Sequence, residues 1–125
     1  NIAYVSIHQF PFYPGTGSQI EKWEFNNILN LPIPAGYGNN EYKSIFDKKI
    51  LPFIDNFCPE ILIISAGFDA HKNDPLAEIN LNSQMFSYMT KQCLTIQPNL
   101  LIGLEGGYNL DVLGKCCVCV GSYLI

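Results

Sequence analysis

The sequence predicts an α/β fold in which helices cover both faces of a mostly parallel sheet. The first observation is a set of short runs of apolar, β-favouring residues, of which 61–64 and 100–104 are the clearest. Their consecutive apolar positions are typical of strands that are buried from both sides. The second observation is that segments with apolar residues at helical spacing separate these runs, which indicates parallel pairing through right-handed crossovers.

The composition is that of a folded domain with an acidic surface. The 125 residues are 48% hydrophobic and 14% charged, and the formal net charge is -4. This balance supports a substantial apolar core, and the negative charge argues against a surface that binds nucleic acid directly. Neither a signal peptide nor an apolar run of the roughly 20 residues that a membrane span needs is visible, so we expect no membrane partner.

The five cysteines are interpreted as reduced structural thiols. Cys58 and Cys93 fall in apolar helical patterns, where a thiol usually packs in the core. Cys116, Cys117 and Cys119 form a close group, but no second pair of ligands lies at the spacing of a zinc finger.

The chain begins with a predicted strand over residues 1–8 and a stiff loop. Two prolines and two glycines forbid regular structure over 10–17. The aromatic residues of this loop, which include Phe12 and Tyr13, either wall a pocket or fold back onto the core.

Residues 18–38 have no clear period, and 31–36 within them are predicted to be extended and rich in turns. Pro32 and Pro34 exclude a helix and a central strand in this segment. Trp23 and Phe25 are its candidate anchors.

Amphipathic helices are predicted over the segments that separate the remaining strands. Their apolar residues recur at helical spacing over 41–57, 83–97 and 110–120. Pro52 should kink the first of these helices or interrupt its hydrogen bonds, and Asn82 is the predicted N-cap of the second.

The segment 61–76 carries the ionisable residues that most strongly indicate a functional site. Asp69, His71 and Asp74 follow a predicted buried strand directly, at the position where open α/β sheets bind ligands. Carboxylate oxygen and imidazole nitrogen both suit zinc. The alternative is that Asp69 caps a turn and that His71 is a solvated loop residue.

The predicted parallel order brings three polar loops to one edge of the sheet. These loops are residues 8–17, 67–76 and 105–109. In the last of them, Gly106 and Gly107 allow the backbone to approach a ligand closely. Tyr108 is either a packed ring with its hydroxyl in water or a hydrogen-bond donor to an oxyanion that develops beside a metal.

Four motifs, in order along the chain, resemble the zinc-dependent histone deacetylase family. They read Val-Ser-Ile-His at 5–8, Tyr-Pro-Gly-Thr-Gly at 13–17, Ser-Ala-Gly-Phe-Asp-Ala-His at 65–71 with Asp-Pro-Leu at 74–76, and Leu-Glu-Gly-Gly-Tyr-Asn at 104–109. The wording is nearest to the class II and bacterial acetylpolyamine amidohydrolase branches. The resemblance implies an arginase-like α/β fold and zinc-dependent hydrolysis of N-acetyl-lysine amides in histones or other proteins.

The resemblance also implies roles for individual residues. Asp69 matches a zinc ligand, His71 does not, and Tyr108 matches the tyrosine that stabilises the tetrahedral oxyanion. In the acyl-lysine tunnel, the wall is matched by Tyr13, the apolar rim by Leu76, and the floor by Gly106 and Gly107; we place Phe12 beside this wall. A structural potassium site is matched by Ser6 and Ile7. Related polyamine deacetylases have a glutamate at the position of Leu76, so acetyl-lysine is the expected substrate.

Some residues of the family's site have no counterpart in this sequence. The aspartate-x-histidine pair that supplies the other two zinc ligands and the tandem histidines that act as general base and acid are both unmatched. We therefore expect residues 1–125 to be the carboxyl-terminal portion of a single catalytic domain, and to be inactive alone. The alternatives are a non-catalytic deacetylase-like binding module and an acetylpolyamine deacetylase.

The expected partners and location follow from the same resemblance. It implies an acetylated protein or peptide substrate, corepressor-type complexes, and a nuclear or cytoplasmic location.

Overall fold

The computed structural model describes residues 1–22 and 24–124, so the candidate anchor Trp23 lies outside the described residues. The strands are β1 (Tyr4–Gln9), β2 (Ile28–Ile33), β3 (Leu62–Ala66) and β4 (Leu100–Leu104), and the α-helices are α1 (Asn39–Ile45), α2 (Leu51–Phe57), α3 (Ser83–Ile96) and α4 (Leu110–Gly121). No helix in these two ranges has the length and apolar character needed to cross a membrane.

The strands pair in parallel, which confirms the predicted α/β class. β1 pairs with β2 and β3 pairs with β4, each pair without a register break. Over the described residues these form two sheets of two strands rather than one continuous sheet. The side chain of Gln9 at the end of β1 accepts a hydrogen bond from the Glu78 N–H (3.0 Å), which joins that strand end to the long connection after β3.

β2 is a strand where the sequence predicts only an extended, turn-rich segment. The two prolines led to the wrong expectation because only one of them, Pro32, lies in the strand, at its penultimate position. The Ile33 carbonyl accepts from Phe10 N–H of the β1 chain (2.8 Å), so Ile33 faces β1 and Pro32 faces away. A proline whose missing N–H points away from the partner strand removes no bond of this ladder.

The predicted helix over 41–57 is divided by a π-helical turn, Phe46–Ile50, that joins α1 to α2. Within this turn the Leu51 N–H donates to the Phe46 carbonyl, five residues earlier. Pro52 follows at once and has no N–H to donate to the carbonyl of Lys48. The wider turn keeps the chain helical at this point. Pro52 thus interrupts the α-helical hydrogen bonds, as predicted, without ending the helix.

The predicted cap of α3 is confirmed. Asn82 Oδ1 accepts a hydrogen bond from the Met85 N–H (3.0 Å), and the helix ends one residue before the predicted end. The side chain of Asn82 thereby satisfies one of the N–H groups that the first turn of a helix leaves unpaired.

The helices and both strand pairs share one apolar core made of two adjoining clusters. Leu81 and Cys116 are wholly buried in the first cluster, and Ile50 and Cys93 lie in the second. Three half-buried side chains pack against both clusters: Ile7, Ile45 and Met89. Because Ile7 of β1 and Ile64 of β3 pack against the same second cluster, the two strand pairs are held by shared hydrophobic contacts.

The cysteines are free thiols, but one of them is not where the sequence predicts. Cys93 is in the core, where burial raises the pKa of its thiol to about 11. Cys58 is exposed and ends α2 with a left-handed backbone, φ 51°. Helix α2 ends at Phe57, so Cys58 lies just outside the helix whose apolar face was expected to bury it.

One face of the β3–β4 pair is uncovered in the described part of the chain. Ile63 is 65% exposed and Leu101 is 57% exposed, whereas Leu62 and Ile64 pack against the core. The sequence predicts that both faces of β3 are buried, but in the described residues only the face of Leu62 and Ile64 is covered. The described helices direct their apolar residues toward that face.

Leu81 is the core residue whose truncation tests this packing most directly. Its side chain is 0% exposed, and its backbone bonds the turn after β3 at Ala70 and Lys72. We expect Leu81→Ala to lower the free energy of unfolding by about 2–5 kcal/mol, because the cavity cannot close fully. Chemical denaturation of the protein measures the change. Leu81→Met is the control, with an expected loss below about 1.5 kcal/mol, and equal losses for the two variants would contradict the predicted cavity.

Candidate active site

The loops that follow β3 and β4 are joined by backbone hydrogen bonds. The Glu105 N–H donates to the Ala66 carbonyl (3.0 Å), and the Phe68 N–H donates to the Gly106 carbonyl (2.8 Å). These bonds extend the strand pairing past the ends of β3 and β4. The predicted meeting of polar loops at the carboxyl ends of parallel strands is therefore observed for these two loops.

The Asp69 carboxylate lies close against two glycines, Gly67 and Gly106. A Cβ atom on Gly67 would be 2.7 Å from Asp69 Oδ1, and one on Gly106 would be 3.0–3.2 Å from the carboxylate atoms. Neither distance would be tolerated by a larger residue without a shift. The two glycines, one from each loop, thus form a cradle that holds a half-buried carboxylate at the end of the sheet.

The charge of Asp69 is felt by a phenol in the core beneath it. Tyr42 of α1 is buried, and this burial, with the negative charge of Asp69 as the second cause, raises the pKa of its hydroxyl. Tyr42 therefore stays neutral at physiological pH and adds no second anion beside the carboxylate.

Tyr108 presents its side chain to the outside, 56% exposed. Gly107 precedes it with φ +132°, and a Cβ there would meet Leu113 Cδ1 at 3.0 Å and Phe68 Cβ at 3.2 Å. The backbone thus needs glycine at this point, both for its angle and for its close packing. The role of Tyr108 as a hydrogen-bond donor to an oxyanion stays a prediction.

His71 is buried rather than solvated, so the expectation of a solvated loop residue is wrong. Its side chain is 5% exposed, and its Nδ1 accepts a hydrogen bond from the Asn73 N–H (3.1 Å). Burial is the first cause that lowers the pKa of the imidazole, and the neighbouring Lys72 adds to it. His71 therefore acts as a neutral structural residue that closes the turn after Asp69.

Two further residues of these loops make contacts that the sequence alone does not predict. Asp74 accepts a hydrogen bond from the Tyr108 N–H at Oδ2 (2.8 Å), and Asn109 donates from Nδ2 to the Asn73 carbonyl (2.8 Å). Asp74 also accepts from the Leu76 N–H (2.9 Å), a local Asx turn of the kind that an Asp-Pro pair signals. That signal could have identified the turn, but not the bond to Tyr108, which is 34 residues away.

The loop after β1 carries the aromatic residues that the sequence analysis assigns either to a pocket wall or to the core. Phe12 is 42% exposed and Tyr13 is 92% exposed, so neither ring folds fully onto the core. The amino-terminal side of the loop is held by the bond between Ser6 Oγ and His8 Nδ1 (2.8 Å). A Cβ on Gly17 would be 2.6 Å from the His8 ring, so the loop closes directly over the imidazole.

The end of this loop is fixed by a carboxylate. Glu21 accepts hydrogen bonds from the N–H groups of Gly17 (3.0 and 3.1 Å) and Ser18 (3.0 Å). The bonds from Ser18 and then Gly17 lower the pKa of Glu21. The loop is therefore anchored at both ends, while its aromatic tip stays accessible.

The predicted tunnel residues Phe12, Tyr13 and Leu76 are exposed in the described part of the chain. Leu76, at the predicted rim, is 56% exposed. A cavity of about 430 Å³ lies elsewhere, beside the first residues of β1 and β2. It is lined by Tyr4, Thr16, Gly17, Glu21, Lys22, Ile28 and Asn30.

A catalytic zinc ion takes three protein ligands as a rule. Within the part of the chain that the structure describes, no three His, Cys, Asp or Glu side chains are close enough together to hold a metal ion. Asp69 fits the chemistry of one such ligand, because its carboxylate is half-buried and lies in a cradle between two glycines that an added Cβ would partly fill.

Comparison with known proteins gives a consistent match over almost the whole chain. Residues 1–123 match the histone deacetylase domain family. An uncharacterized protein of Synechocystis is 43% identical over 117 residues, which are 94% of this chain and 38% of that protein. "Histone deacetylase 10, chloroplastic" of Oryza sativa is 37% identical over 123 residues, with 92% of this chain and 28% of that protein covered.

Solved structures show the same relationship. The HD domain of HDA15 superposes with a TM-score of 0.92 at 34% identity, covering 98% of this chain and 37% of that one. The acetylpolyamine aminohydrolase from Burkholderia pseudomallei gives a TM-score of 0.88 at 26% identity, again with 98% and 37% covered. The chain thus spans less than two fifths of each of these proteins. The resemblance of the four motifs is confirmed, and the chain belongs to the histone deacetylase family.

Proposed function

We propose that the whole protein hydrolyses N-acetyl-lysine amides in proteins, with zinc as its metal. The observation that carries this proposal is the Asp69 carboxylate, cradled by Gly67 and Gly106 in two joined loops, one of which presents Tyr108. Membership of the histone deacetylase family supports it. Because the chain covers only part of its relatives, the activity is assigned to the whole protein.

Each residue of the site would have a separate task. Asp69 would bind the metal through its carboxylate, and the glycine cradle would keep that carboxylate at one place. Bound zinc would supply Lewis-acid chemistry at the amide carbonyl. The exposed hydroxyl of Tyr108 would donate a hydrogen bond to the oxyanion that forms there. We propose that the remaining metal ligands and the base histidines come from parts of the domain outside residues 1–125.

The substrate would pass between the loops that follow β1, β3 and β4. Phe12 and Tyr13 would form an aromatic wall for the aliphatic part of acetyl-lysine, and Leu76 an apolar rim, as their exposure permits. Gly106 and Gly107 would leave space for it at the floor. Ser6 and the Ile7 carbonyl are the proposed potassium ligands, in the middle of the strand that leads into the aromatic loop.

Two alternatives remain distinct from this proposal. Acetylpolyamine hydrolysis is favoured by the likeness to the Burkholderia aminohydrolase, and the uncharged Leu76 argues against it, since it offers a distant ammonium no partner. The other alternative is a non-catalytic binding module, which would show no turnover of an acetyl-lysine peptide. For the location we propose the nucleus or cytoplasm, although the rice relative is named as chloroplastic.

Tyr108→Phe in the full-length protein tests the catalytic role of the hydroxyl. The change removes one oxyanion donor and leaves the exposed ring in place, so kcat should fall by about 10²–10³-fold with unchanged zinc content. Steady-state kinetics on an acetyl-lysine peptide and elemental analysis measure the two quantities. Tyr123→Phe, a change at an exposed residue just beyond the end of α4, is the control. A Tyr108→Phe enzyme with normal kcat would exclude this mechanism.

Leu76→Glu tests the choice of substrate. A carboxylate on the rim would attract the distant ammonium of a polyamine, at a surface position where such a pair is worth up to about 1 kcal/mol. The ratio of kcat/KM for acetylspermidine to that for an acetyl-lysine peptide should therefore rise by roughly five-fold. Leu76→Gln, which has the same length without the charge, should leave the ratio near the wild-type value. A wild-type protein that prefers acetylspermidine would contradict the proposed substrate.

Asp69→Asn tests the metal ligand. The amide keeps the size of the side chain but loses the charge that binds zinc, and loss of one of three protein ligands should lower zinc occupancy of the purified full-length protein well below one per molecule. Asp55→Asn, an exposed carboxylate on α2, is the charge-matched control and should keep full occupancy. Unchanged zinc content in Asp69→Asn would show that Asp69 is not a ligand.

A further inference from the structure

We propose that Asp74 is a positioning residue that fixes the backbone of Tyr108 relative to Leu76 and the rest of the site. This inference rests on the proposed catalytic role of Tyr108 and adds a residue to it. It concerns a single carboxylate that binds the loop after β3 and the loop after β4 at the same time.

Both oxygens of the Asp74 carboxylate are occupied by backbone donors. Oδ2 accepts from the Tyr108 N–H (2.8 Å), and Oδ1 accepts from the Leu76 N–H (2.9 Å) with a longer contact to the Ala77 N–H (3.5 Å). The backbone of Asp74 is itself held, since its N–H donates to the His71 carbonyl (2.8 Å). The carboxylate cannot turn without losing a bond to one of the two loops.

A second link lies on the other side of Tyr108. Asn109 caps α4, because its Oδ1 accepts from the Asp111 N–H (3.1 Å), and its Nδ2 donates to the Asn73 carbonyl (2.8 Å). The pairs Asp74–Tyr108 and Asn109–Asn73 therefore join the same two segments twice. The start of α4 and the turn after β3 are held at a fixed separation on both sides of the tyrosine.

Tyr108 needs such external support because its own side chain has little packing. More than half of its surface is exposed, and the glycine pair before it gives the backbone freedom that other residues lack. An oxyanion donor acts only when it is about 2.7–3.1 Å from the developing charge. A displacement of about 1 Å at such a group is enough to lower the rate by roughly 10²-fold.

Asparagine at position 74 would break one link without changing volume. Its side chain has one acceptor oxygen and one NH₂ donor, so it can accept from either Tyr108 or Leu76, while the donor faces an N–H at the other side. We expect Asp74→Asn to release the backbone of Tyr108 or that of Leu76 and to lower kcat by about 10- to 100-fold.

A double-mutant cycle in the full-length protein tests the assignment. The proteins are the wild type, Asp74→Asn, Tyr108→Phe and the double variant, each assayed for kcat on an acetyl-lysine peptide. If Asp74 acts by positioning the hydroxyl, Asp74→Asn should lower kcat by about 10-fold or more when Tyr108 is present. In the Tyr108→Phe background the same change should lower kcat by less than about three-fold. Thermal unfolding is the control for stability: Asp74→Asn should lower Tm equally in both backgrounds. A loss of kcat that depends on the background then cannot come from lost stability.

The outcomes that overturn the proposal are distinct from those that overturn the function. Equal effects of Asp74→Asn on kcat in both backgrounds, or none in either, would exclude the positioning role while leaving Tyr108 catalytic. A Tyr108→Phe enzyme with normal kcat would remove the proposed function, and the positioning role with it. Asp55→Asn is the charge-matched control.

A second variant keeps the test decisive if Asp74→Asn does not fold. Asn109→Ser retains a cap oxygen for α4 and removes only the amide donor to Asn73, so it should give the same background-dependent loss of kcat. An effect of Asn109→Ser that is independent of Tyr108 would count against the proposal.

Discussion

The pairing of the loops after β3 and β4 is the constraint on which the candidate site depends. Two backbone hydrogen bonds continue the parallel ladder beyond the strands, and the Asp69 carboxylate occupies the space between the glycines of the two loops. Any slip in the β3–β4 register would move Gly106 away from Gly67 and place another residue against the carboxylate. The geometry of Asp69 is therefore a consequence of strand register rather than of local turn structure alone.

The core holds this loop pair from below. Phe68, which precedes Asp69, is 5% exposed and packs edge-on against Phe86 of α3, with 5.1 Å between the ring centroids. His71, two residues after Asp69, is buried as well, and its backbone pairs with the wholly buried Leu81. A buried residue thus lies on each side of Asp69, which is itself half-buried. Buried apolar neighbours of this kind restrict the motion of a loop on which function depends.

Side-chain hydrogen bonds to backbone N–H groups recur where this chain leaves regular structure. Glu21 binds the end of the aromatic loop, Asp74 binds the loops of the candidate site, and Asn82 and Asn109 cap α3 and α4. Loops rich in glycine and proline cannot satisfy their own N–H groups with a ladder, so side-chain oxygens take that place. Asp74 also accepts from the Tyr108 N–H and so joins two loops that are distant in the chain.

The sequence by itself determined the parallel α/β class, the helix over most of 41–57 with its interruption at Pro52, the cap Asn82, and the segments that carry Asp69 and Tyr108. Each of these follows from periodicity, proline chemistry or a motif, which are properties of neighbouring residues. Only the tertiary structure decided that His71 is buried, that β2 is a strand, and that Asp74 binds Tyr108. Burial and pairing depend on groups that are distant in the chain, and no local pattern specifies which distant backbone a carboxylate will meet.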